Sequence, residues 1–129
     1  VIAVEELLSS ARASLARLTP AQALQEAKKG AVLIDIRPVE QRNRDGSLPG
    51  ARVISRNVLE WRLDPQCEHR DRELARVGRR VIIVCDEGFQ SSLAAATLQR
   101  FGLDATDLIG GMQAWLDQRL PVEKPVDRV

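Results

Sequence analysis

The residues best suited to chemistry stand together in CDEGFQSS, residues 85 to 92. A cysteine thiolate is a strong nucleophile, and Cys85 closes an unbroken apolar run, Val81, Ile82, Ile83 and Val84, that fits a strand buried on both faces of a parallel sheet. Beyond the loop, LAAATLQRF sets Leu93, Ala94, Thr97, Leu98 and Phe101 at helical spacing. A strand, a short loop and a helix start thus follow in order. In that arrangement successive backbone N–H groups can turn inward as an anion-binding nest, reinforced by the positive end of the helix. The nest would be built from Asp86, Glu87, Gly88, Phe89, Gln90, Ser91 and Ser92, and it would favour the thiolate of Cys85 over the thiol. By residue type alone a free cysteine is more often a small buried hydrophobe. Its place at a strand end facing a loop and a helix start, the usual ligand crevice of an α/β sheet, selects Cys85 as the candidate nucleophile.

The loop resembles the active-site loop of the single-domain rhodanese family of sulfurtransferases: Cys, two variable residues, Gly, a variable residue that is often Arg, then Ser or Thr. Cys85, Gly88 and Ser91 match that pattern, and Gln90 stands where Arg is common. VLIDIRPVEQRNRDGSLPGARVI, residues 32 to 54, resembles the family's first strand and loop, with Asp35, Arg37, Glu40, Gly46, Pro49, Gly50 and Ala51 in register. GGMQAW, residues 110 to 115, resembles its C-terminal signature. The resemblance implies a three-layer α/β domain with a central, mainly parallel sheet flanked by helices. It also implies sulfane-sulfur transfer through a persulfide on Cys85, from a small donor such as thiosulfate to a thiol, cyanide or protein acceptor, with no cofactor. Ser47 stands where many relatives carry His, so no proton transfer is expected from that position.

Two rival readings apply. A phosphatase of the dual-specificity type holds phosphate with an Arg six residues after its cysteine, but position 91 here is Ser. A non-catalytic interaction or regulatory module of rhodanese type is the alternative; many such modules lack the cysteine that this chain keeps. Asp86 and Glu87 flank the nucleophile and oppose a thiolate unless they point outward, which is the expectation. The hydroxyls of Ser91 and Ser92 are candidate donors to the sulfur.

Other side chains are placed near the crevice by the elements that carry them. Asp35 and Arg37 end the strand VLIDI and are expected as a buried pair supporting the loop. Arg56 leaves the segment ARVISR, residues 51 to 56, expected as a strand; it either supplies the charge that Gln90 lacks or is a solvated basic residue. Trp61, in the short helix NVLEWRL, either walls the crevice or joins the core. The charged stretch DPQCEHRDRELARVGRR reads as a surface loop with a short helix around residues 71 to 76. Cys67 and His69 lie in it, but a structural zinc site draws four ligands and the chain has two Cys and one His in all. No metal site is expected.

At the N-terminus, Val4, Leu7, Leu8, Ala11, Leu15 and Leu18 fall near helical spacing, giving an amphipathic helix within residues 1–18 that packs on the domain. The domain proper spans 19–122, opening with Thr19 as N-cap, Pro20 at the first helical position and Gly30 as the stop. DATDLI is a further strand, and Gly110 and Gly111 turn into a last helix that Pro121 stops. Residues 123–129 form a polar tail. The 129 residues suffice for one core, and a net charge of +1 gives no reason to expect nucleic acid or an anionic membrane as partner. No stretch resembles a signal peptide or approaches the roughly 20 apolar residues of a membrane span. With two cysteines, one of them at the candidate site, the chain is expected in a reducing compartment, the cytoplasm.

Overall fold

The computed structural model describes residues 1–124; the part of the predicted polar tail beyond residue 124 lies outside them. Four strands, β1 (Val32–Asp35), β2 (Arg52–Val53), β3 (Arg80–Val84) and β4 (Asp104–Asp107), form one parallel sheet in the order β2-β1-β3-β4. The apolar run that precedes Cys85 is therefore a central strand. Val81 lies opposite Val32 and Ala105, and Ile83 opposite Ile34 and Asp107. Because side chains alternate across a strand, Val81, Ile83 and Cys85 join one core with Leu59, Leu63, Ala94, Ala95 and Leu98. Ile82 and Val84 join the other, with Leu18, Ala23, Leu108, Met112 and Trp115. Helices α4 (Leu59–Leu63) and α5 (Gln90–Gln99) thus cover one face, and α2 (Pro20–Lys28) and α6 (Gly111–Asp117) the other. Helix α3 (Val39–Asp45) follows β1, and α1 (Val4–Ala13) packs on α5. The architecture is the predicted three-layer α/β domain.

Local signals account for both ends of α2. Thr19 accepts from the Gln22 N–H while the Gln22 side chain accepts from the Thr19 N–H, a reciprocal cap, and Pro20 begins α2. Gly30 then leaves the helix at a φ of 107°. Three expectations need correction. The strand expected over residues 51 to 56 is only Arg52–Val53, since a 3-10 turn at Arg56–Val58 leads into α4. No helix forms over residues 71 to 76, because the Asp71 carboxylate takes the N–H groups of Glu73 and Leu74 and closes a turn instead. The last helix ends at Asp117, four residues before Pro121, with Arg119 at a φ of 56°.

Helix α1 is amphipathic in pattern but has no buried residue, and Val4 and Leu7 are exposed. Leu8 and Ala11 are half-buried where α1 meets α5, and Leu15 and Leu18, beyond its end, reach the two cores. Leu18 runs parallel to the chain after β4, accepting from Ile109 N–H and donating to the Asp107 carbonyl. Among the described residues no helix is long and apolar enough to cross a membrane.

Candidate active site

Cys85 lies at the C-terminal edge of the sheet, 8% exposed, at a crevice of about 480 Å³. Its Sγ accepts the backbone N–H groups of Gly88 at 3.2 Å and Ser91 at 3.3 Å. Three of the loop carbonyls, those of Cys85, Asp86 and Gly88, take donors from behind the loop. Met112 N–H donates to Cys85 O at 2.9 Å and Gln113 N–H to Asp86 O at 3.0 Å, both from the first turn of α6. Arg12 and Arg17 donate together to Gly88 O, at 2.7 and 3.0 Å. With the carbonyls held back, the N–H groups of residues 86, 87, 89 and 90 donate to no acceptor among the described residues. That leaves them for an anion at the crevice floor.

Glycine is required where these layers touch. Gly88 has a φ of 87°, and a Cβ there would sit 2.7 Å from Gly110 N and 3.3 Å from the Arg17 guanidinium. A Cβ on Gly111 would sit 2.5 Å from Cys85 O. The GGM turn therefore serves the loop directly: its lack of side chains lets the α6 N-terminus approach the Cys85 and Asp86 carbonyls.

The serine hydroxyls do not face the sulfur, contrary to expectation. Ser91 Oγ and Ser92 Oγ donate to Asp107 Oδ2 at 2.7 and 2.8 Å, and all three residues are fully buried. Arg17 closes that cluster with a two-pronged contact to Asp107, 2.8 and 3.2 Å. A buried carboxylate is costly unless paired, and here two hydroxyls and a guanidinium satisfy it. The sequence reading missed Asp107, Arg12 and Arg17. An acidic residue inside the short strand DATD was the available signal for the first; the two arginines had none beyond their type.

Asp86 and Glu87 both line the crevice. Asp86 turns aside, its carboxylate held by Arg44 at 2.8 Å and by the Gln113 amide at 2.9 Å. Arg44 also bonds Asp45, and this hydrogen bond is the main reason that the Asp45 carboxyl is held below its ordinary value. Glu87 is exposed.

Asp35 and Arg37 form a buried pair, 2.9 Å apart, and Arg37 also donates to Gly46 O at 2.8 Å, tying the end of β1 to the turn after α3. Arg37 lines the crevice, whereas Asp35 is fully buried and does not. Arg56 lines the crevice too, donating to the Gln90 side chain at 3.0 Å and to Glu60 at 2.6 Å. Phe89, more than half exposed, forms part of the wall. Trp61 belongs neither to the crevice nor to the core. It is 58% exposed and borders a separate hollow with Cys67 and Phe101, because the outward face of the short helix α4 carries it away from Leu59 and Leu63.

The model of the rhodanese-like domain family matches residues 19–118. Among solved structures, a protein of unknown function from Rhodopseudomonas palustris, described as a possible tyrosine phosphatase, is 32% identical with a TM-score of 0.86, over 95% of this chain and 96% of that one. A polysulfide-sulfur transferase homodimer from Wolinella succinogenes is 23% identical with a TM-score of 0.72, over 96% of this chain and 89% of that one. A thiosulfate sulfurtransferase from Pseudomonas aeruginosa is 22% identical with a TM-score of 0.66, over 84% of this chain and 19% of that one. At such identities the last two speak to the fold. No curated protein matches the chain.

Proposed function

Since the chain belongs to the rhodanese-like domain family, we propose that it is a sulfurtransferase that carries sulfane sulfur as a persulfide on Cys85. The observation that carries this reading is the pair of backbone N–H groups, Gly88 and Ser91, directed at Cys85 Sγ at 3.2 and 3.3 Å on the floor of an open crevice. Such donors stabilise a thiolate without needing a base. With thiosulfate as donor, the Cys85 thiolate attacks the outer sulfur, the S–S bond breaks and sulfite leaves with its electron pair. The new persulfide keeps the donors around its charge. An acceptor thiolate or cyanide then attacks the outer sulfur, and Cys85 leaves as the thiolate. Of the two arginines that line the crevice, Arg37 is paired with buried Asp35, and Arg56 is the one to meet an anionic donor, although Glu60 offsets part of its charge. An exchangeable thiol of this kind suits a reducing, cytoplasmic setting.

The relative described as a possible tyrosine phosphatase raises the rival chemistry. Phosphate transfer by such loops relies on an Arg that clamps the phosphate in a bidentate contact. Here that position is Ser91, whose hydroxyl is spent on buried Asp107, so the loop offers backbone donors alone. Incubation of the purified protein with thiosulfate, followed by mass spectrometry, tests the proposal. A gain of one sulfur atom on the peptide containing Cys85, lost in Cys85→Ser and removed by cyanide, is expected. An unmodified Cys85 would favour a non-catalytic binding module, and Cys85-dependent release of phosphate from an aryl phosphate would favour the phosphatase.

A further inference from the structure

The carbonyl of Gly88 receives two guanidinium groups, and both come from outside the residues that the family model matches. Arg12 lies near the end of α1, and Arg17 on the segment that runs beside β4. Arg12 is fixed three ways: to Gly88 O at 2.7 Å, to Ser92 Oγ at 3.0 Å, and over the Phe89 ring at 5.7 Å from its centre. Arg17 is fixed by its paired contact with Asp107. Two charged donors on one carbonyl oxygen make a stronger restraint than a neutral hydrogen bond.

A trans peptide unit points its C=O and the following N–H in opposite directions. Pinning Gly88 O toward α1 therefore turns the Phe89 N–H away from α1, toward the crevice side of the loop, where it meets no acceptor within the described protein. Polarisation of the carbonyl also strengthens that N–H as a donor. We propose that Arg12 and Arg17 are positioning residues for the Cys85 loop, holding the Gly88–Phe89 peptide so that its N–H receives negative charge at the sulfur. The N-terminal segment, 1–18, is then a working part of the site and not an appendage. The inference deepens the sulfur-transfer reading by assigning what presets its anion nest.

Alkylation of Cys85 by iodoacetamide, followed across pH at the Cys85 peptide by mass spectrometry, tests this without relying on sulfur transfer. Arg12→Ala, whose side chain is only partly buried, is expected to slow alkylation at neutral pH by about threefold to tenfold and to move the pH profile upward. Arg12→Lys, which keeps a charged donor for Gly88 O but cannot hold Ser92 as well, is expected to recover more than about half of that loss. Arg17→Ala is expected to act in the same direction, with a lower thermal midpoint because Asp107 loses its partner; if it does not fold, the two Arg12 variants decide alone. A wild-type pH profile in folded Arg12→Ala, with or without a change in its midpoint, would overturn the proposal and leave Arg12 a purely structural contact. A shifted profile in a protein that gains no sulfur from thiosulfate would instead refute the sulfur-transfer reading and leave this one standing.

Discussion

The charge next to the nucleophile is decided by one arginine. Asp86 follows Cys85 directly, and at about 6 Å an uncompensated carboxylate would oppose a thiolate or an anionic donor by roughly 0.7 kcal/mol in water-like surroundings and nearly 3 at an effective dielectric near 20. Arg44 lies 2.8 Å from that carboxylate and binds Asp45 as well. Arg44→Ala should therefore raise the KM for thiosulfate at low ionic strength, with the increase shrinking as salt screens the exposed charges. Steady-state kinetics at two salt concentrations check this, and an unchanged KM would mean that Asp86 is too well solvated to matter. The same variant has a pH signature. The Asp45 carboxyl is held below its ordinary value of 3.8, first by the Arg44 hydrogen bond and then by that from Gln113, against the opposing effect of burial. A carboxyl depressed in the folded state stabilises the protein above its unfolded value and loses that contribution as pH falls through the folded one. The thermal midpoint of Arg44→Ala should thus lie slightly below wild type at pH 7, by about 2 °C or less for so exposed an arginine. It should converge on wild type as pH falls below 3.8 and through the depressed folded-state value.

At the scale of elements, the site is a meeting of β3, the loop, and the N-termini of α5 and α6. The first three were legible because their signals are local: a β-branched run, a cysteine, a glycine and a helical apolar repeat lie within 20 or so residues. The role of α6 was only half legible. GGMQAW read as a tight turn, whereas Gly111 is needed because the Cys85 and Asp86 carbonyls occupy the space of its missing Cβ, at 2.5 and 2.6 Å. Gly111→Ala should destabilise the protein by about 2 to 4 kcal/mol, combining a φ of 59° with contact against immobile backbone. Gly50→Ala provides the contrast, since Gly50 has a φ of 74° but open space around it, and should cost only about 1 to 2 kcal/mol. Urea unfolding of both separates strain from collision, and equal losses would show that α6 can shift away from the loop. What stayed hidden depends on distance in the chain or on side chains capturing backbone. Arg12 and Arg17 reach Gly88 across 76 and 71 residues, and no spacing rule covers that. The missing helix after Asp71 and the outward Trp61 show the same limit: the sequence suggested a short helix and a tryptophan in the core or the crevice wall, and a two-bond turn and a one-and-a-half-turn helix face decided otherwise.

At the scale of the whole molecule, stability and function draw on different parts of the chain. The centre of the sheet is buried, with β1 and β3 paired over four residues and covered on both faces, so the amides of Val81 to Val84 in β3 should exchange with solvent only through global unfolding. Helix α1 is the opposite case. It has ten residues, none of them buried, and helices of that length are marginal without packing. Its hold on the domain comes from packing on α5, with Leu8 and Ala11 half-buried, from the Arg12 contacts, and from bonds just past its end: Gln99 to Ser14 O and Thr106 to Ala16 O, both near 3 Å. The amides of α1 should therefore exchange through local opening, at least about 100-fold faster than those of β3. If α1 clasps the active loop, the two must also be linked. Charge at Cys85 that strengthens the loop donors favours the clasped state, and by reciprocity the clasped state favours that charge. Converting Cys85 to a persulfide, or binding an anionic donor to it, should then slow exchange in α1 beyond any change in β3, whose amides report only the global stability that such a ligand raises, and Arg12→Ala should abolish that excess. Hydrogen-exchange mass spectrometry on the free and sulfur-loaded protein measures both. If α1 exchanges as slowly as β3, its attachment is part of the global fold; if it opens locally but ignores the state of Cys85, the helix rests on the loop without informing it.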